Sequence, residues 1–380
     1  MSNYSNPQPY PPPGGNNPAA PPAKKNCFKK GLGFVPNSIC KSESDPISTM
    51  LKAAPTMTKG QFTSTLDASS YESGSTIPLI DIEKIAVAKG EERSELIQSF
   101  GIALAQVGFV GIKAESLMNL IRSVYDEMGR YFRQSFDTKL LNWKKSEIQN
   151  GFNYRGCETG PKALRPDFKE SFFITRDFNE WPSNFSSFPR IMSEYHSVLT
   201  EINKYLMIFL MEYLEQPQED DEGIANHVLR LAYYPAFKPG DDPKGTWVAP
   251  HKDKNVLSIF SNGTVPGLQY YSRKGLWEPV VVPEGYLIVT TGLLLQHKTA
   301  GLIQARWHRV VNPGGKYTRL ERYSTVFYGT WSDEYSLKPF ANCVEKTTRS
   351  MPASRKEEYM RKYTDCTVAE KLSQRIASLV

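Results

Sequence analysis

Between residues 228 and 330 the chain breaks into short runs rich in β-branched and aromatic residues, and no other feature constrains its fold as strongly. The runs fall at 228–234, 256–260, 267–271, 280–282, 286–290, 307–311 and 322–328. Turn-forming clusters separate them, among them Lys238-Pro239-Gly240, Ser261-Asn262-Gly263, Ser272-Arg273-Lys274-Gly275 and Asn312-Pro313-Gly314-Gly315. Strands this short, at this spacing, predict a β-sandwich or barrel.

The sequence before that block has a different texture. Residues 77–82 read as a short strand. Leu96, Ile97, Phe100, Leu104 and Val107 then fall at helical spacing within 91–107. A strand at 109–112 and a helix over 115–132 follow. A third helix is expected over 191–214, with Ile191, Tyr195, Val198, Ile202, Tyr205 and Phe209 on one stripe and His196 off it, at the surface. Helical spacing returns over 354–380. Helices, then an all-β block, then a closing helix is not the alternation of a parallel α/β sheet. There is also no GxGxxG or P-loop pattern, so nucleotide-cofactor folds are disfavoured.

Composition narrows the class further. Of 380 residues, 40% are hydrophobic and 23% charged, which excludes a wholly disordered or fibrous chain. The net charge of +6 is too mild for this length to argue for nucleic-acid binding. No apolar stretch is long enough for a membrane span, and the first residues lack the apolar core of a secretory signal. Residues 1–75 form a separate Pro-rich segment: 11 of the 27 prolines precede residue 60. Such a segment is expected to be a disordered tail, able at most to make weak contacts with a partner. Five scattered cysteines without a CxxC suggest reduced thiols and a cytoplasmic location.

The chemistry-bearing residues are few. His251 and Asp253 form an H-x-D, and in an extended chain residues i and i+2 point to the same face. His308 lies 57 residues further on and can bring a second imidazole from another strand. Two histidines and one carboxylate make the facial triad of non-haem Fe(II) oxygenases, which leaves coordination positions open. Fourteen residues beyond His308, Arg322 and Ser324 again share a strand face. A guanidinium beside a hydroxyl suits a carboxylate, through two charge-assisted hydrogen bonds and a third from the hydroxyl.

With these motifs in place, residues 76 to 370 resemble the isopenicillin-N-synthase-like branch of the Fe(II)- and 2-oxoglutarate-dependent dioxygenases. The resemblance rests on an ordered set: Ile77-Pro78-Leu79-Ile80-Asp81, Gly108-Phe109-Val110, Gly151-Phe152-Asn153-Tyr154, Asp167-Phe168-Lys169-Glu170, Tyr233-Tyr234-Pro235, His251-Lys252-Asp253, Pro266-Gly267-Leu268-Gln269, His308-Arg309-Val310 and Arg322-Tyr323-Ser324. Departures occur at Ala232, Thr290-Thr291-Gly292-Leu293 and Thr299-Ala300-Gly301, around the metal rather than at its ligands.

The resemblance implies a mostly-β fold with α: a double-stranded β-helix (jelly roll) over 226–345, a helical and strand support region over 76–225, and a closing helix over 346–380. It implies Fe(II) on His251, Asp253 and His308. Arg322, Ser324 and Tyr234 would hold the distal carboxylate of the cosubstrate 2-oxoglutarate. O2 would be consumed, with ascorbate in support. A small molecule would be hydroxylated, desaturated or cyclised, with release of succinate and CO2. Tyr154, Arg155, Lys169, Glu170 and His297 are the candidate substrate contacts. Two alternatives stay open: an iron oxidase of the same family that uses no 2-oxoglutarate, and a binding protein on a retired scaffold. The substrate is expected to be neither nucleic acid nor membrane.

Overall fold

The computed structural model describes residues 68–71, 74–144, 150–157, 167–178, 180–218, 225–238 and 246–377. The chain runs through β1 (Leu79–Ile80), α1 (Ile82–Val87), α2 (Gly90–Gln106), β2 (Phe109–Lys113), α3 (Met118–Phe132), α4 (Phe136–Leu140), β3 (Gly151–Asn153), β4 (Glu170–Thr175) and the long α5 (Phe188–Tyr213). It continues with β5 (Val228–Tyr234), β6 (Thr246–His251), β7 (Leu257–Phe260), β8 (Leu268–Tyr271), β9 (Trp277–Pro279), β10 (Tyr286–Thr291), α6 (Leu293–Lys298), β11 (His308–Val311) and β12 (Arg322–Gly329). It closes with α7 (Ala341–Thr348), α8 (Ala353–Met360) and α9 (Val368–Ala377).

The strands form two sheets, one in the order β1-β2-β10-β7-β12-β5-β4-β3 and the other β6-β11-β8-β9. Period-2 alternation sorts the side chains of the larger sheet. On β12, Tyr323 and Phe327 join Leu229, Leu231 and Ile259 in a core shared with Phe100 of α2, Val124 and Met128 of α3, and Tyr195 and Phe209 of α5. Val326, with Tyr234 and Phe260, faces the other way and packs with Trp247, Val248, Leu268, Tyr270 and Val310 of the smaller sheet. The helices thus back the larger sheet, and its opposite face is left to form a cavity with the smaller one. Burying each such large apolar side chain contributes about 1.5–3 kcal/mol, so this double-sided packing holds the cavity walls rigid.

Local sequence explains the main supports. In α5 a proline occupies the first turn, where its missing N–H costs nothing, and Ile191, Tyr195, Leu199, Leu206 and Phe209 are buried on the core side, whereas Tyr205 of the expected stripe is exposed. His196, expected at the surface, is instead buried: its Nε2–H donates to the His227 carbonyl at 3.1 Å, and its ring meets Phe327 edge-on. At the end of α2, Arg306 donates from Nε to the Val107 carbonyl (3.1 Å) and from Nη2 to that of Gln106 (2.7 Å). This positive group satisfies free carbonyls at the negative end of the helix dipole.

Several sequence expectations shift. The short strand expected over 77–82 is reduced to two residues because Asp81 caps α1, its side chain accepting from the Lys84 amide. The run at 280–282 is not a strand: β9 ends at Pro279, although Val280 and Val282 are still buried. The single closing helix expected over 354–380 is divided into α8 and α9, and α7 precedes it, with Pro352 capping the start of α8. The tail expected over 1–75 lies outside the described residues as far as 67. Beyond that point, residues Ala68–Tyr71 form a 3-10 turn and Tyr71 is buried, its hydroxyl accepting from Gln269 Nε2. No helix among the described residues is long and apolar enough to cross a membrane.

Candidate metal centre

His251 ends β6 and His308 begins β11, and the two are directly opposed in the antiparallel pairing of these strands. Asp253 is not on the strand with His251, as the i, i+2 argument assumed, but two residues past its end. Sequence reasoning missed β6, because Pro250 interrupts what would otherwise read as a strand. The chain turns there, and the carboxylate swings back between the rings: Asp253 Oδ1 is 3.5 Å from Nε2 of each histidine. One ligand atom from each of the three residues lies within 4.8 Å of the others, a grouping able to hold a metal ion.

The surroundings orient each group. His251 Nδ1–H donates to the Ala249 carbonyl at 2.8 Å, and His308 Nδ1–H to the Arg306 carbonyl at 3.2 Å. With Nδ1–H engaged in this way, each ring directs Nε2 to the shared space, the atom that metal ligation requires. Ser258 donates to Asp253 Oδ2 at 2.6 Å and leaves Oδ1 for the centre. Burial alone would raise the Asp253 carboxyl, but His308 and His251 beside it hold it well below the usual carboxylate range. Burial alone would lower His308, and the Asp253 charge outweighs it and raises the imidazole. Phe109 and Phe260 meet the His308 ring edge-on at 5.9 and 6.0 Å and lock its plane. Two imidazole nitrogens and one carboxylate oxygen on one side, with the other side open to a cavity, is a donor set that fits Fe(II).

That cavity, about 570 Å³, is lined by the triad and also by Arg322, Ser324 and Tyr234. Arg322 donates from Nε to the Val265 carbonyl (2.8 Å) and from Nη1 to Ser324 Oγ (2.7 Å). The Ser324 hydroxyl accepts there, so its own hydrogen is left to donate. Tyr234 faces Arg322 across the β5–β12 pair, with its ring 4.9 Å from the guanidinium carbon. Arg322 is buried, and among the described residues its side chain pairs with no carboxylate. Gly263 permits this packing: a Cβ there would stand 2.6 Å from Arg322 Cζ.

The structure does not bring the five candidate substrate contacts into the cavity. Tyr154 packs edge-on against Phe136 and Trp143. Arg155 is exposed and stacks on Phe168 at 3.5 Å. Lys169 pairs with Asp167, whose Oδ1 accepts from the Ala249 amide at 3.1 Å, so this pair braces β6 from behind. Glu170 pairs with the buried Lys139 at 2.5 Å. His297 sits on α6 and donates from Nε2 to the Thr364 carbonyl at 2.8 Å, turned toward the closing helices. Except for Lys169, whose partner Asp167 is two residues away, each is held by a partner more than ten residues distant, which type and position could not reveal.

Three other cavity or support residues escaped the sequence reading. Ser258 and Arg230 are polar residues inside apolar strand runs, a signal that would have singled them out. Tyr71, which also lines the cavity, comes from the segment read as tail.

Comparison with known proteins agrees with this geometry. Residues 225–329 match the family model of the 2OG-Fe(II) oxygenase superfamily, and residues 77–192 match that of the non-haem dioxygenase in morphine synthesis N-terminal region. The chain is 25% identical over 324 residues to clavatol oxidase claD of Penicillium crustosum, covering 75% of this chain and 94% of that protein. It is 25% identical over 297 residues to 2-oxoglutarate-dependent dioxygenase 11 of Oryza sativa subsp. japonica, covering 73% and 77%. Its fold is similar to that of a 2OG-Fe(II) oxygenase family protein from Caulobacter crescentus, with a TM-score of 0.68 at 23% identity over 80% of this chain and 100% of that one. With both halves matched in order, the chain belongs to the 2OG-Fe(II) oxygenase superfamily, in its isopenicillin-N-synthase-like group, as a 2-oxoglutarate- and Fe(II)-dependent dioxygenase with a jelly-roll core.

Proposed function

We propose that His251, Asp253 and His308 hold the ferrous ion, that Arg322, Ser324 and Tyr234 receive the distal carboxylate of 2-oxoglutarate, and that the space beside them admits a small organic substrate. Substrate hydroxylation, desaturation or ring formation would accompany release of succinate and CO2. The bound iron and 2-oxoglutarate supply the oxygen activation and the C–H oxidation. The protein supplies the rest. The Nδ1 hydrogen bonds hold both imidazoles in the ligating tautomer, and Ser258 orients the carboxylate. Arg322 and Ser324, both buried, offer fixed donors to an anion. The supporting observation is that one cavity is shared by the three ligand atoms and a buried arginine that has no carboxylate partner among the described residues.

We assign the catalytic core to 226–345, its support to 76–225 and the closing helical segment to 346–380. A cytoplasmic location accords with the free thiols at Cys343 and Cys366. The test is substrate-free turnover: with Fe(II), ascorbate and oxygen the protein slowly converts 2-oxoglutarate to succinate. Absence of succinate from the folded, iron-loaded protein would favour the oxidase reading or the retired scaffold.

A further inference from the structure

Arg306 stands two residues before the ligand His308, and its backbone and side chain have different partners. Its carbonyl accepts from His308 Nδ1–H at 3.2 Å. Its side chain, 2% exposed, reaches the carbonyls at the end of α2: Nε donates to that of Val107 (3.1 Å), and Nη2 to those of Gln106 (2.7 Å) and Ala105 (3.4 Å). A helix leaves its last carbonyls without intrahelical partners, and the fixed fork of a guanidinium can bridge several of them at once. One residue thus ties a helix end to the imidazole of a metal ligand.

The corner where α2 passes into β2 holds His308 a second time. Gly108 turns the chain there with a φ of +79°, and it also makes room for Arg306, since a Cβ would stand 2.3 Å from Arg306 Cγ. Phe109 follows, its ring edge-on to that of His308 at 5.9 Å, and Thr290 Oγ1 anchors the corner by donating to the Gly108 carbonyl at 2.7 Å. The Arg306 carbonyl lies before the first residue of β11, outside the regular ladder. Thr291 Oγ1 donates to the Gln304 carbonyl (2.9 Å) and the Tyr271 amide to the Trp307 carbonyl (2.8 Å). The chain would therefore stay in place without the arginine, with the Arg306–Trp307 peptide left to turn.

We propose that Arg306 is a positioning residue of the metal centre: clamped by its side chain to the end of α2, it fixes the carbonyl that keeps His308 Nε2 aimed at the metal. Acceptors of this kind set the orientation of a ligating imidazole and contribute to metal affinity. The inference rests on the proposed role of the triad and adds a residue whose side chain touches none of the three ligands.

The test uses the full chain, freed of metal and titrated anaerobically with Fe(II) in competition with a fluorescent chelator. Wild type is read first, because failure to bind Fe(II) defeats the proposed function and this inference with it. Arg306→Met should then bind Fe(II) about tenfold or more weakly than wild type, on the scale of losing an outer-shell partner. Arg306→Lys should fall between the two, since an ammonium keeps the charge but lacks the fork. Arg273→Met controls for mere loosening of the helix end: Arg273 donates from Nε to the Gln106 carbonyl and from Nη2 to that of Ala105, each at 3.0 Å, from the turn after β8. It should lower the melting temperature of the metal-free protein, as Arg306→Met does, and leave Fe(II) affinity unchanged. Wild-type affinity in Arg306→Met, or an equal loss in Arg273→Met, overturns the inference while the proposed function stands. Should Arg306→Met not fold, Arg306→Lys decides, and wild-type affinity there overturns the inference.

Discussion

His251 and His308 face each other across the β6–β11 pairing, their ring centroids 4.3 Å apart although 57 residues separate them in the chain. The pairing register thus sets the separation of two of the three ligands. Just beyond His308 the register shifts before Val310, an irregularity that ends the regular ladder beside the site. Such irregularities often re-aim side chains next to active sites. The third ligand depends on a turn instead of a ladder, and Ser258 is what holds it.

Ser258→Ala should therefore weaken metal binding without unfolding the protein. The carboxylate loses its 2.6 Å donor and is left to rotate. Loss of an outer-shell partner of this kind typically costs 10–100-fold in metal affinity. Competition with a fluorescent chelator measures it, and an unchanged Fe(II) affinity would show that Asp253 is held by other means.

Gly263→Ala should act on 2-oxoglutarate and leave the metal alone. The added methyl would crowd Arg322, which cannot retreat freely because Val265 and Ser324 hold it. The expected outcome is a KM for 2-oxoglutarate raised about tenfold or more, on the scale of one charge-assisted hydrogen bond, with Fe(II) affinity preserved. Steady-state succinate formation against 2-oxoglutarate concentration checks this. An unaltered KM would mean the guanidinium adjusts without loss.

Much of this site was legible because its residues come in short motifs on regular elements. Alternation along β12 puts Arg322 and Ser324 on one face from sequence alone, and the strand block at 228–330 gave the fold class. Asp253 was also identified, though for a different geometric reason than the one that applies. What the sequence could not give were partners brought in by folding. Lys139 for Glu170 and Thr364 for His297 engage these side chains outside the cavity. Arg230 and Tyr71 join it only because β5 and the 3-10 turn fold against β12 and β8.

His196 should make stability depend on pH. Burial lowers its pKa below 6.5, more than the His227 carbonyl raises it. The folded state then binds fewer protons than the unfolded state between the folded pKa and about 6.5. Its contribution is complete above that window and is lost as pH falls through it. Urea unfolding from pH about 7 down to about 5 should show wild-type stability falling more steeply than that of His196→Gln. Parallel profiles would assign the dependence to other groups.

The most direct test is an anaerobic titration of 2-oxoglutarate into the Fe(II)-loaded protein, followed by the visible charge-transfer absorption of a chelated 2-oxo acid. Wild type should develop the band and saturate, Arg322→Met should need at least about tenfold more 2-oxoglutarate, and His308→Ala should show no band. A band of wild-type strength in His308→Ala, or none in the wild type at millimolar 2-oxoglutarate, would contradict the account.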